Sequence, residues 1–215
     1  MKIAFVLSKG LHYFFFDGVI RLLYSWGHDV QIICRSGFAL DGNKSGRALI
    51  KLINDEPRAK FENALSRRKG AQFAITLREL ANYANFLKPG HPMPLYETIY
   101  MRNKLNPRLY RLIKSPAGRF VFSTQGVRWV LRIIESFISP EPQIVNWLEE
   151  NQPRVIVASP YIMSADLEIE YIKAAHYLNI PTIASVLSWD NLVSKGTYLV
   201  KPEWLFVWNQ ELTEE

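Results

Sequence analysis

Two polar loops carry the side chains best suited to chemistry. Residues 8–13, Ser8-Lys9-Gly10-Leu11-His12-Tyr13, follow the apolar run 3–7, and Ser188-Trp189-Asp190-Asn191 follows the apolar run 182–187. His12 offers an imidazole and Asp190 a carboxylate, each able to take a proton from a hydroxyl nucleophile. Trp189 gives a flat apolar face that stacks on a sugar ring or a base, Asn191 gives donors and acceptors together, and Lys195 a charge to offset phosphate. Gly10, Tyr13 and Ser188, with Ser159 and Tyr161 from a third loop at 159–164, complete the expected binding set. The same residues also fit a scaffolding role. Asp190 and Asn191 can fix their loop through its own backbone, Trp189 can enter the core, and His12 can be a helix cap.

Other chemistries lack their patterns. One glycine in the first loop falls short of the three that let a backbone approach a dinucleotide pyrophosphate, so nicotinamide and flavin enzymes are disfavoured. GxSxG and GxxxxGK[ST] do not occur, nor do HExxH, CxxC or paired histidines, which argues against simple hydrolase, ATPase and dedicated metal sites. His28 belongs to the far end of a helix, His91 to a proline-rich turn and His176 to a helix interior. Asp17, Asp166 and Glu168 have weaker claims than Asp190. No bound cofactor is expected.

The elements that must place these loops follow from periodicity. Residues 3–7 form a continuous apolar run, suited to a strand covered on both faces. Phe16, Val19, Ile20, Leu22, Leu23 and Trp26 recur at helical spacing, Gly27 ends that helix, and 30–34 is a second strand. This is a right-handed crossover between parallel strands. From 37 to about 115 the texture is helical: Leu49, Ile53, Phe61, Leu65, Phe73, Leu77, Leu80 and Leu87 recur among basic residues, with a break at 88–94. Further helical passages are expected around 95–113 and 121–137. Strands return at 155–158, 182–187 and 205–208, with a helix over 165–178 closed by Asn179. The expected fold is a doubly wound, mostly parallel α/β sheet, Rossmann-like, as one domain over 1–215 with a helical insertion at about 40–140.

At 215 residues, 48% hydrophobic and 21% charged, the chain builds a core and is neither fibrous nor disordered. Its single cysteine, Cys34, excludes an internal disulfide, points to a reducing, cytoplasmic compartment, and suits a buried filler at a strand end. No signal peptide is legible, and the longest apolar stretch, 120–138, is interrupted by Gln125, Arg128, Arg132 and Glu135. The net charge of +6 is uneven: residues 51–134 hold 16 Lys/Arg against 5 Asp/Glu, and the remainder 10 against 15. An anionic partner for the middle segment is expected, such as the inner face of a membrane, unless the surplus is only a solvated surface. Nucleic acid is disfavoured, since Tyr83, Phe86, Tyr96 and Tyr100 fall at helical core spacing.

Four stretches carry a family resemblance: Lys2-Ile-Ala-Phe-Val-Leu7, Leu23-Tyr-Ser-Trp-Gly-His-Asp-Val30, Leu80-Ala-Asn-Tyr-Ala-Asn-Phe-Leu-Lys-Pro89, and Ser188 to Gly196 with Pro202 to Asn209. The chain resembles the amino-terminal domain of a GT-B glycosyltransferase-like protein, in a bacterial group related to CDP-glycerol glycerophosphotransferases and non-hydrolysing sugar-nucleotide epimerases. The resemblance implies a domain that holds the acceptor (a glycan, polyol or lipid of the cell envelope) while a second domain, expected after residue 215, holds most of the nucleotide-sugar donor. This chain alone would then be inactive. Some members use a histidine directly after a glycine behind the first strand as base; here Leu11 stands between Gly10 and His12. Two rival readings are an epimerase half and a non-enzymatic module that binds membranes or polyanions.

Overall fold

A computed structural model describes residues 1–34, 44–65, 71–91, 104–159, 167–187 and 197–207. Its centre is a six-stranded, all-parallel sheet in the order β3-β2-β1-β4-β5-β6. The strands are β1 (Lys2–Leu7), β2 (Asp29–Cys34), β3 (Lys60–Asn63), β4 (Val155–Ser159), β5 (Thr182–Ser185) and β6 (Trp204–Phe206). The doubly wound α/β expectation holds.

Alternation along β1 builds two cores. Ile3, Phe5 and Leu7 point to one face, where Val30 and Ile32 of β2 meet α1 (Tyr13–Ser25) and α2 (Lys44–Asp55). Ala4 and Val6 point to the other, where Ile156, Ala158 and Ala184 meet α7 (Pro142–Asn151) and α8 (Glu168–Tyr177). Burial on both faces is why the strands read as unbroken apolar runs. Each fully buried Leu, Ile or Phe here stabilises the fold by roughly 1.5–3 kcal/mol. Cys34 is fully buried, and burial, with Glu168's charge adding, pushes its thiol up to about 12, so it stays protonated as the expected filler.

An outer helical layer packs on itself and is joined to α8 by ion pairs: α3 (Gln72–Phe86), α4 (Pro107–Ile113), α5 (Pro116–Ser123) and α6 (Gln125–Phe137). Its helix starts are marked in the sequence. Asn106, Ser115 and Thr124 each accept a backbone N–H of the turn they cap, and Pro107 and Pro116 occupy first positions. Thr124, extended at φ −74° and ψ 146°, divides the passage expected over 121–137 into two helices. A buried ion cluster fastens the layer: Arg78 bonds Glu135 and Glu170, and Lys173 bonds Glu135. The basic surplus of 51–134 is therefore not wholly a surface property.

Three expectations are corrected. Residues 60–63, read as helical, form the edge strand β3, held by Glu62, which accepts from Gln31 and Trp147. α7 was not anticipated. On α1 the buried residues are Tyr13, Phe16, Ile20 and Tyr24, whereas Phe15, Val19, Leu22 and Trp26 form an exposed strip. Trp204, Leu205 and Phe206 of β6 are exposed as well, and β6 is the outermost strand among the described residues.

Candidate functional site

The chain leaves β1 towards helices on one face of the sheet and β4 towards α8 on the other. Their neighbouring carboxyl ends therefore part, and this is the switch point where doubly wound sheets bind ligands. A line of hydrogen bonds runs along this edge. The Ser8 N–H donates to the Ser159 carbonyl at 3.2 Å and the Ser159 hydroxyl to the Ser185 carbonyl at 3.2 Å. The Val186 N–H then donates to the Phe206 carbonyl at 2.9 Å, so the ends of β1, β4, β5 and β6 are tied in register.

His12 stands at one end of this line, closing a single 3-10 turn, Gly10–His12, in front of α1. Its N–H donates to the Lys9 carbonyl at 2.9 Å, and its Nδ1 lies 3.1 Å from the Ser8 hydroxyl. Burial, helped by the charge of Lys9, lowers its pKa to about 4. The ring is thus neutral at pH 7. When Nδ1 carries the proton and gives it to Ser8, Nε2 is left as an acceptor, the form that receives a proton from a hydroxyl. At the other end a hollow of about 250 Å³ is lined by Phe15, Val186, Leu187 and Phe206.

The His12 environment sets a pH dependence. The folded ring protonates near 4 against 6.5 for an unperturbed histidine, so the unfolded chain takes up the proton first as pH falls. Its stabilising contribution is complete above pH 6.5 and is lost progressively towards pH 4. Urea midpoints of the native protein are therefore expected to fall more steeply across that window than those of His12→Asn. His91 and His176, also lowered by burial, act in the same direction in both proteins and cancel in the comparison. Parallel slopes would show that the ring is not sheltered.

The other expected residues divide into two groups. Gly10 is buried inside the turn. Tyr13, expected to bind substrate, is instead a fully buried core residue whose hydroxyl donates to Asp17 at 2.5 Å, and Arg21 bonds the same carboxylate. Ser159 is also fully buried and serves to tie β4 to β5. Ser188, Trp189, Asp190, Asn191, Lys195 and Tyr161 lie outside the described residues, as does Asp166. Their flanks are placed: Leu187 leaves the same sheet edge as His12, and the Thr197 N–H donates at 2.9 Å to the buried Asn82 of α3.

Two features escaped the sequence reading. Ser8 is His12's partner, for which the i, i+4 spacing across the loop is the only sequence signal. A second cavity, of about 350 Å³, lies between α3, α6 and the Thr197–Leu199 stretch, with Lys88, Arg128 and Arg132 beside Asn85 and Trp129. Its signal lay in the basic surplus and in the Ala81-Asn-Tyr-Ala-Asn85 segment. Among the described residues no three His, Cys, Asp or Glu side chains gather as a metal site.

No family model matches the chain, and no curated protein matches it. Among solved structures it is similar to the crystal structure of glycosyltransferase VinC in complex with dTDP, at 12% identity and a TM-score of 0.38, over 89% of this chain and 36% of that one. The chain spans about a third of that protein's length.

Proposed function

We propose that the chain forms the acceptor-side wall of a two-domain glycosyltransferase that moves a sugar from a nucleotide-sugar to a hydroxyl of an anionic or membrane-associated glycan, polyol or lipid. One observation carries the reading: a neutral His12, steadied through Nδ1 by Ser8, stands at the switch point, on the sheet edge that Leu187 also leaves. The sequence resemblance supports it independently.

In the proposed step the acceptor hydroxyl gives its proton to Nε2 of His12, its oxygen bonds the anomeric carbon, and the carbon–oxygen bond to the diphosphate breaks. The electron pair leaves with the nucleoside diphosphate. With a pKa of about 4 the free ring is a weak base. A diphosphate bound beside it favours the imidazolium and raises that value, so the base strengthens only when donor and acceptor are both present.

The test follows the His12 ring by NMR and the reaction by nucleoside diphosphate release. A nucleoside diphosphate is expected to raise the His12 pKa. In the protein as the cell makes it, His12→Ala is expected to lower transfer from a nucleotide-sugar by about 10²–10⁴-fold with donor affinity retained. An unmoved His12 titration together with an active His12→Ala enzyme overturns the proposal.

A further inference from the structure

The outer helices present a surface that neither the sheet nor the His12 turn accounts for. Phe120 of α5 is 74% exposed, and Trp129 and Phe137 of α6 are 63% and 82% exposed. Val130, Ile134 and Phe137, at i, i+4 and i+7, form one continuous exposed apolar stripe along α6, while Leu131 and Glu135 on its other side face inward. Leu112 of α4 is exposed too.

Charge on the same three helices has one sign. Residues 107–137 hold six Lys/Arg and one carboxylate. That carboxylate, Glu135, is buried and bonded to Arg78 and Lys173, so the outward face offers only positive charge. Arg108, Arg111, Lys114, Arg119 and Arg132 are exposed. A second copy of this face would set cation against cation. A nucleic acid would answer the charge but leave the α6 stripe in water. An anionic lipid surface answers both, taking aliphatic and aromatic tips below its headgroups and arginines among its phosphates. At 13 residues α6 is too short to span a bilayer, and no helix among the described residues is long and apolar enough to do so.

We infer that α4, α5 and α6 form a docking face for an anionic phospholipid bilayer, with Phe120, Trp129 and Phe137 entering the headgroup boundary and α6 lying in its plane. The cavity lined by Lys88, Arg128 and Arg132 shares Trp129 and Arg132 with this surface, and its three cations suit the phosphate of a lipid headgroup. The inference stands without the transferase reading, because binding needs neither donor nor turnover.

Flotation of the full chain with phosphatidylcholine vesicles, with and without about 30% phosphatidylglycerol, tests it at low and high salt. Binding is expected with the anionic vesicles alone, weakening at least about tenfold at about 1 M salt. Phe120→Ser with Phe137→Ser, and separately Arg111→Glu with Arg132→Glu, should each reduce it about tenfold or more, with the melting curve unchanged because all four side chains face solvent. A vesicle-induced blue shift of fluorescence that Trp129→Phe abolishes places α6 at the boundary. Absence of vesicle binding overturns the inference. So does equal binding to uncharged vesicles, a dimer dispersed by Phe137→Ser in sedimentation, or salt-sensitive binding to RNA but not vesicles. Vesicle binding alongside an unmoved His12 titration and an active His12→Ala enzyme removes the transferase reading and leaves this one standing.

Discussion

Arg78→Met is expected to lower the unfolding free energy by about 3–5 kcal/mol, read from urea denaturation at neutral pH. Arg78 and Glu135 are each 2% exposed and Glu170 4% exposed at their side chains. The guanidinium donates Nη2 to Glu135 at 2.7 Å and Nη1 to Glu170 at 2.6 Å, with Nε a further 3.2 Å donor to Glu135. Burial opposes the charged guanidinium, yet Glu170 and Glu135 outweigh it and hold its pKa above the usual arginine value. Without Arg78, Glu135 keeps Lys173, but Glu170 loses its 2.6 Å bond to the buried guanidinium. The penalty is a large share of the roughly 5–15 kcal/mol that holds an ordinary domain together. It falls on the tie between α3, α6 and α8, so the outer layer should loosen first. Replacing all four members, as Arg78→Met, Glu135→Leu, Glu170→Leu and Lys173→Met, should recover most of the loss, because a buried cluster contributes little over apolar packing. A single Arg78→Met change below about 1 kcal/mol would mean that the cluster does not fasten the layer.

Gly118→Ala is expected to destabilise by about 1–3 kcal/mol through overpacking, although it adds only a methyl group. A Cβ at this position would lie 2.5 Å from the Ile113 carbonyl oxygen and 2.6 Å from that of Leu112, both rigid backbone at the end of α4. The approach is forced by the short link. Ser115 caps α5 by accepting the Gly118 N–H at 3.1 Å while its own N–H donates to Leu112, so the first turn of α5 leans on the last turn of α4. Neither carbonyl can move without opening that turn. Hydrogen exchange should quicken over 107–123 and stay unchanged in β1 and β2. Unaltered exchange at that junction would show that the two helices slide past the added methyl.

Much of the sheet was legible because its signals are local. Ile3 to Leu7 and Val30 to Cys34 are unbroken buried runs, and Gly27 and Asn179 take the positive φ, 77° and 55°, that their places after helices suggested. β3 was missed because Lys60-Phe-Glu-Asn63 has one large apolar residue, and its place depends on Gln31 and Trp147, both distant in sequence. α7 could have been found from Pro142 at a first position followed by Ile144 and Leu148 on one face. At the site, His12 fell where the loop rule put it. Tyr13 did not, although Asp17 one helical turn later already offered its hydroxyl an inward partner. Arg78 and Glu135, 57 residues apart, carry no pattern that joins them before the fold exists.

The exposed strand β6, outermost among the described residues, bears on handling the molecule at the bench. Trp204, Leu205 and Phe206 are exposed beside one rim of the sheet, and a net charge of +6 supplies a general repulsion between copies. Concentrating the protein, or raising ionic strength, weakens that repulsion while leaving the rim as adhesive as before. Dilute, low-salt storage and a lysine in place of Leu205 are the practical remedies, since a charged rim resists stacking.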